Sequence, residues 1–144
     1  MEFTRTEYGY FLKLHKDQKL NQTLADFTIA QKIQGGFFHG LGALKESELG
    51  FYHLHKKEYH RETFVDEAEL LNLTGNLSWF DEKPVVHSHV TLGNTKFQAF
   101  GGHLFEGVVA VTVEVMLTTF DQKVERKFVP EIGLNLLSFC QAHK

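Results

Sequence analysis

AELLNLTGNLSWFDEKPVVHSHVTL, residues 68–92, decides how the rest of the chain is read. It contains two runs of alternating polar and apolar residues, and period two is the signature of a strand with unlike faces. If the runs form a hairpin turning at Asp81 and Glu82, Leu71, Leu73, Leu77 and Trp79 share one face of the first strand. Asn72, Thr74, Asn76 and Ser78 then share the other. In the second strand Val86, Val90 and Leu92 point one way, and Val85, His87, His89 and Thr91 the other. This register sets Asn76 opposite His87 and Thr74 opposite His89. The polar side of one strand coincides with the histidine side of its neighbour, and a slip of one residue would destroy the match.

Working outward, the same two-faced pattern returns in Val108–Phe120, where Val109, Val111, Val113, Val115 and Leu117 form an apolar row with Thr112 and Glu114 opposite. Upstream, Tyr8 to His15 alternates with Tyr8, Tyr10, Leu12 and Leu14 on one side. The segment after it, through Gly35-Gly36, predicts one main helix with Asn21 as N-cap. Phe37–Leu44 and Phe51–Tyr59 are expected as two strands joined by a turn near Glu46–Gly50. Lys96–Phe100 is expected as a short strand, Glu125–Val129 as a further strand, and Pro130–Cys140 as a short C-terminal helix. The predicted fold is a single α+β domain over residues 1–144. It has a mostly antiparallel sheet of six or seven strands, the main helix on its apolar face and the short helix at its end.

His87 and His89 carry the chemistry. Side chains two apart on a strand point the same way, with Cα atoms about 6.5–7 Å apart. Two such imidazoles can reach one ion at about 2.0–2.1 Å from each nitrogen. In FGGHLFEG, Gly101 and Gly102 allow close backbone approach and deliver His103 as a third ligand. Three neutral imidazoles leave a zinc ion an open position, the pattern of catalytic zinc. Nickel, iron or manganese are also admissible on ligand type. A competing pair, His53 and His55 with His60 nearby, ranks lower because it borders a lysine-rich stretch and lacks a glycine-delivered partner. His15, His39 and His143 read as ordinary packing or surface residues.

Composition narrows the classes. The chain has 144 residues, 42% of them hydrophobic and 23% charged, the profile of one globular domain. No apolar run has the length of a membrane helix, and the N-terminus does not read as a signal peptide, so the expected location is cytoplasmic. A single cysteine, Cys140, excludes an intramolecular disulfide framework and has no activating partner in sequence. The net charge of -3 argues against a phosphate-binding surface, and Glu58 and Glu62 interrupt the one basic patch, Lys56, Lys57 and Arg61. GGFFHGLG lacks the lysine and following helix of a nucleotide loop.

The ordered pieces FFHGLGAL, AELLNLTGNL, VVHSHVTL, AFGGHLFEGVVAVTVEVML and RKFVPEIGLNLL resemble the PPC family, the plants-and-prokaryotes-conserved domain. The resemblance covers nearly the whole chain. It implies a compact domain that assembles as a homotrimer, and a metal on the histidines matching His87, His89 and His103. The fold is also similar to a domain of acetolactate decarboxylase, a zinc enzyme with a comparable histidine pattern. Plant members contact DNA largely through an AT-hook of Arg-Gly-Arg-Pro type, and no such element occurs in these residues. Three readings follow. The first is a trimeric metal-binding domain. The second is a metal-dependent enzyme for a small carbonyl or carboxylate compound, with Glu114 moving a proton and Asn76 or Thr74 orienting substrate. The third is DNA binding by the domain itself.

Overall fold

A computed structural model describes residues 1–139. Its framework is the expected hairpin, now β5 (Ala68–Phe80) and β6 (Lys83–Gly93). Phe80 pairs with Lys83, and Asp81 and Glu82 both take positive φ, 48° and 58°, as a two-residue type I′ turn requires. The register sets Asn76 opposite His87 and Thr74 opposite His89. One detail differs. A bulge between Leu70 and Asn72 turns Leu71 outward and puts Leu70 into the core, because the extra residue inverts the alternation beyond it.

The fold class is mostly β, not the expected α+β with a main helix and a short C-terminal one. Among the described residues there are nine strands and one helix. β1 (Glu2–Thr6) and β2 (Gly9–His15) form an N-terminal hairpin, and α1 (Leu20–Ala30) follows. β3 (Gly35–His53) runs straight through the stretch expected to turn at Glu46–Gly50. Ser47 there is buried, and the ladder to β7 (Ala99–Phe120) continues across the segment with register shifts that bend the strand instead of ending it. The turn comes later, at residues 54–57, before β4 (Glu58–Phe64).

β7 (Ala99–Phe120) is longer still, 22 residues against 19. Lys96–Phe100 is therefore not a separate strand. Asn94 Oδ1 accepts from the backbone N–H groups of Lys96 and Gln98 at 2.9 and 3.0 Å, holding residues 94–98 in a turn. The C-terminal helix is also replaced. Gly133, at φ 81°, reverses the chain between β8 (Glu125–Val129) and β9 (Leu134–Ser138), which pair antiparallel. Cys140 and His143 lie outside the described residues.

β3, β5, β6 and β7 pair in a closed cycle, β3 to β5, β5 to β6, β6 to β7 and β7 back to β3. All of these pairs are antiparallel; among the described residues the single parallel contact is Trp79 with Glu125, between β5 and β8. One sheet face and α1 enclose a core that includes Leu12, Leu14, Leu24, Phe38, Leu73, Leu77, Val113 and Leu117. Burying each such side chain contributes about 1.5–3 kcal/mol before entropy is counted.

The helix start is held in an unexpected way. Lys19 occupies the N-cap position without a side-chain cap. The Glu106 carboxylate, from β7, instead accepts from the N–H groups of Asn21 and Gln22 at 2.8 and 3.2 Å. An anion at a helix N-terminus satisfies orphan donors and complements the dipole. Asn21 is not the cap. It is buried, and its amide donates to the carbonyls of Leu104 and Phe105 while accepting from the Ser88 hydroxyl.

Candidate metal centre

Ser88 lies between His87 and His89, and Leu104 follows His103. Asn21 therefore ties the helix to β6 and β7 directly behind the histidines. With Ser88 drawn inward, alternation sends His87 and His89 to the opposite face. His103 pairs with His89 across the β6–β7 ladder, two residues after Gly101. A Cβ at Gly101 would collide with the Val90 carbonyl oxygen, so the close approach of these strands requires glycine there.

The three imidazoles form a nearly equilateral group. Ring centroids are 5.3 Å apart for His87 and His89, 5.2 Å for His87 and His103, and 5.4 Å for His89 and His103. One nitrogen from each lies within 4.8 Å of the other two. Tetrahedral binding at about 2.0–2.1 Å spaces ligand nitrogens roughly 3.3 Å apart, a gap that modest side-chain rotation closes. His103 Nδ1 is buried with no hydrogen-bond partner. An orphaned buried nitrogen is costly as a bare acceptor and well used as a ligand. The residues fit a divalent ion.

Electrostatics point the same way. Burial, chiefly, and the nearby Arg126 and His89 lower the pKa of His87 to about 4. His103 is lowered to about 4 by burial first, then by the other two histidines, Arg61 and Arg126. Both rings are neutral at pH 7, as metal ligands must be.

The surroundings include groups that sequence reasoning did not assign to the site. Tyr59, on β4, sits 5.1 Å from His103 between ring centroids, and Phe105 sits 4.8 Å from it. Burial first, then Tyr52, raises the Tyr59 phenol above its ordinary pKa. Arg61 stacks 3.6 Å above the Phe105 ring and meets Glu48 at 3.3 Å. Arg126, on β8, donates to Asn76 Oδ1 at 2.9 Å and to Ser78 Oγ at 2.7 Å. ERKFV carries no pattern that would announce this, because the contact exists only after the terminal hairpin folds onto β5.

The remaining sequence candidates separate. Asn76 is opposite His87, but its side-chain oxygen is engaged by Arg126. Thr74 is opposite His89, with its hydroxyl 3.3 Å from Asn72 Oδ1. Glu114 lies on the far half of β7, paired with Lys13 and Leu41, and does not join the histidines. His15 faces Glu2 at 3.1 Å, and His39 is exposed opposite Met116.

Comparison with curated protein sequences gave no match. Among solved structures, an Archaeoglobus fulgidus protein described as metal-containing is 30% identical with a TM-score of 0.84, covering 96% of this chain and 97% of its own. A plant- and prokaryote-conserved (PPC) protein of Pyrococcus horikoshii is 32% identical with a TM-score of 0.84, over 97% and 96%. A Ralstonia eutropha JMP134 protein with a provisional DNA-binding name is 30% identical with a TM-score of 0.90, over 96% of each chain. Acetolactate decarboxylase of Bacillus subtilis subspecies spizizenii shares the fold alone, at 18% identity and a TM-score of 0.51, and this chain covers 56% of it. With a family model matching residues 1–121, the chain belongs to the Plants and Prokaryotes Conserved (PCC) domain family, the PPC family of the sequence reading.

Proposed function

We propose that this protein is a homotrimeric metal-binding domain that holds one divalent ion per chain, zinc by preference, on His87, His89 and His103. The observation that carries this reading is the convergence of three imidazoles, with His103 Nδ1 buried and unpartnered. An all-imidazole set suits zinc and leaves it a position for a further ligand. The trimer is supported by an outward apolar patch across β2, β7 and β3. There Phe11 is opposite Met116, Met116 is opposite His39, and Phe37 and Leu41 flank His39 on the same face. Contiguous exposed apolar surface of this kind marks an interaction site.

Metal analysis of untagged protein with light scattering tests both parts. The expected result is about one divalent ion per chain and the mass of three chains. A monomer that holds no metal and takes none up would overturn the reading.

A second reading, metal-dependent chemistry on a small carbonyl or carboxylate compound, is supported by the cationic Arg126 beside the site. A bound ion there would polarise a substrate oxygen as a Lewis acid. Asn76 and Thr74 remain the substrate-orienting candidates on the flanking strand. Glu114 lies on the far half of β7, away from the histidines of its own chain. DNA binding ranks third, because a net charge of -3 does not supply the basic surface that phosphate binding needs. The cytoplasmic location stays an expectation; no described helix is long and apolar enough to cross a membrane.

A further inference from the structure

Arg126 is explained by neither the histidine cluster nor the family match. It stands on β8, beyond the matched residues 1–121, and the β8–β9 hairpin brings it against β5. Its guanidinium is half-buried and makes three hydrogen bonds, Nε to Ser78 Oγ at 2.7 Å, one Nη to the Asn135 carbonyl at 2.8 Å and the other to Asn76 Oδ1 at 2.9 Å. All three partners are neutral. Among the described residues it joins no ion pair, whereas Arg61 has Glu48 at 3.3 Å.

A half-buried cation without a counter-ion is costly unless something outside the chain compensates it. Here the shortfall is compounded. Asn76 places the guanidinium beside His87, and a divalent ion on neutral imidazoles keeps its full charge. Burial lowers the pKa of Arg126, and its field in turn depresses His87 and His103. A guanidinium has five N–H donors, of which three are used, leaving two for a ligand. The charge and the spare donors call for an anion with more than one oxygen.

We propose that the centre binds a small carboxylate of the 2-oxo or 2-hydroxy acid class, with one oxygen toward the metal and the carboxylate held by the free donors of Arg126. This rests on the metal reading above. Arg126 acts here as the specificity-determining group, since its planar fork matches a carboxylate and its charge meets no acidic partner among the described residues. A ligand lacking the negative charge leaves the guanidinium uncompensated and binds weakly.

Cobalt-loaded protein offers a direct test, with pyruvate and methyl pyruvate as probes and the visible cobalt spectrum as readout. Pyruvate is expected to shift the spectrum saturably and to bind at least about tenfold more tightly than its uncharged methyl ester. Arg126→Met is expected to keep one cobalt per chain and lose about tenfold or more in pyruvate affinity, Arg126→Lys to recover only part of it, and Lys13→Met, beside Glu114 on the far half of β7, to stay within about threefold of the parent. Equal affinity for acid and ester on the parent protein overturns the proposal even if Arg126→Met does not fold. So does cobalt-bearing Arg126→Met that binds pyruvate like the parent. Failure to take up cobalt at all defeats the metal reading itself and the proposal with it, a different result from cobalt bound without discrimination.

Discussion

The chain contains two H-x-H pairs, and only one joins a cluster of three that could hold a metal ion. His87 and His89 lie inside an unbroken strand, so both project from one face, and the neighbouring strand adds His103. His53 is the last residue of β3 and His55 falls in the following turn, so strand alternation no longer aligns them. His60, on the paired strand, comes within 6.5 Å of His53 between centroids, but no three of these groups converge. Spacing in sequence therefore matters less than whether the strand continues through it. A second difference lies behind the rings. The first pair is backed by Asn21, Ser88 and the start of α1, while the second hangs on an exposed hairpin.

The largest expected effect separates the two pairs outright. His103→Ala or His87→Ala should abolish stoichiometric metal, lowering affinity by about a hundredfold or more, while His53→Ala and His55→Ala should leave metal content intact. Mass spectrometry of purified protein reads the difference. Metal retained in the first variants and lost in the second would reverse the assignment.

Next is the support behind the converging pair. Asn21→Ala removes a buried amide that serves two carbonyls and the Ser88 hydroxyl, and should cost about 2–4 kcal/mol in denaturant unfolding. Metal affinity should fall with it, since the strands behind the rings lose their tie. A loss below about 0.5 kcal/mol would show that water replaces the network.

Acidity sharpens the contrast further. His87 and His103 titrate near 4 in the folded metal-free protein and near 6.5 when the chain is unfolded. Between those values the unfolded state binds more protons, so stability rises with pH across this window and is lost on acidification. Urea midpoints of metal-free protein should increase from pH 4.5 to pH 6.5, as the lowering of both rings from 6.5 to about 4 implies. A double replacement of His87 and His103 by phenylalanine should flatten the trend. An unchanged slope would mean other groups cause it.

The smallest effect concerns the exposed hairpin. Arg61→Met loses the stack on Phe105 and the pair with Glu48, both solvent-facing, for about 0.5–1 kcal/mol in thermal or urea unfolding. A loss of several kcal/mol would mark Arg61 as part of the site's support instead of its rim.

The central hairpin was legible from sequence except at Leu71, which the bulge turns outward. Alternation and a two-residue turn leave one register that buries the leucines, and that register also pairs Asn76 with His87. Expectations failed where the chain resolves a conflict through distant partners. The polar stretch at Glu46–Gly50 looks like a turn until β7 is beside it, when bulges let β3 continue. Asn21 looks like a cap because the carboxylate that caps the helix, Glu106, is 85 residues away. Pro130 and the leucines after it suggest a helix, but Gly133 at φ 81° reverses the chain into a hairpin.

By itself the sequence determined the two-faced strands, the histidine side of the sheet and the family, because strand alternation is local and the core tolerates one register. Only the tertiary structure decided that His103 closes the triangle, that Glu114 stays apart and that Arg126 meets no counter-ion among the described residues. Those depend on closing β3, β5, β6 and β7 into a cycle and laying the last hairpin against it. Contacts of that kind follow from where the whole chain can bury its apolar surface, a property that no short window of residues carries.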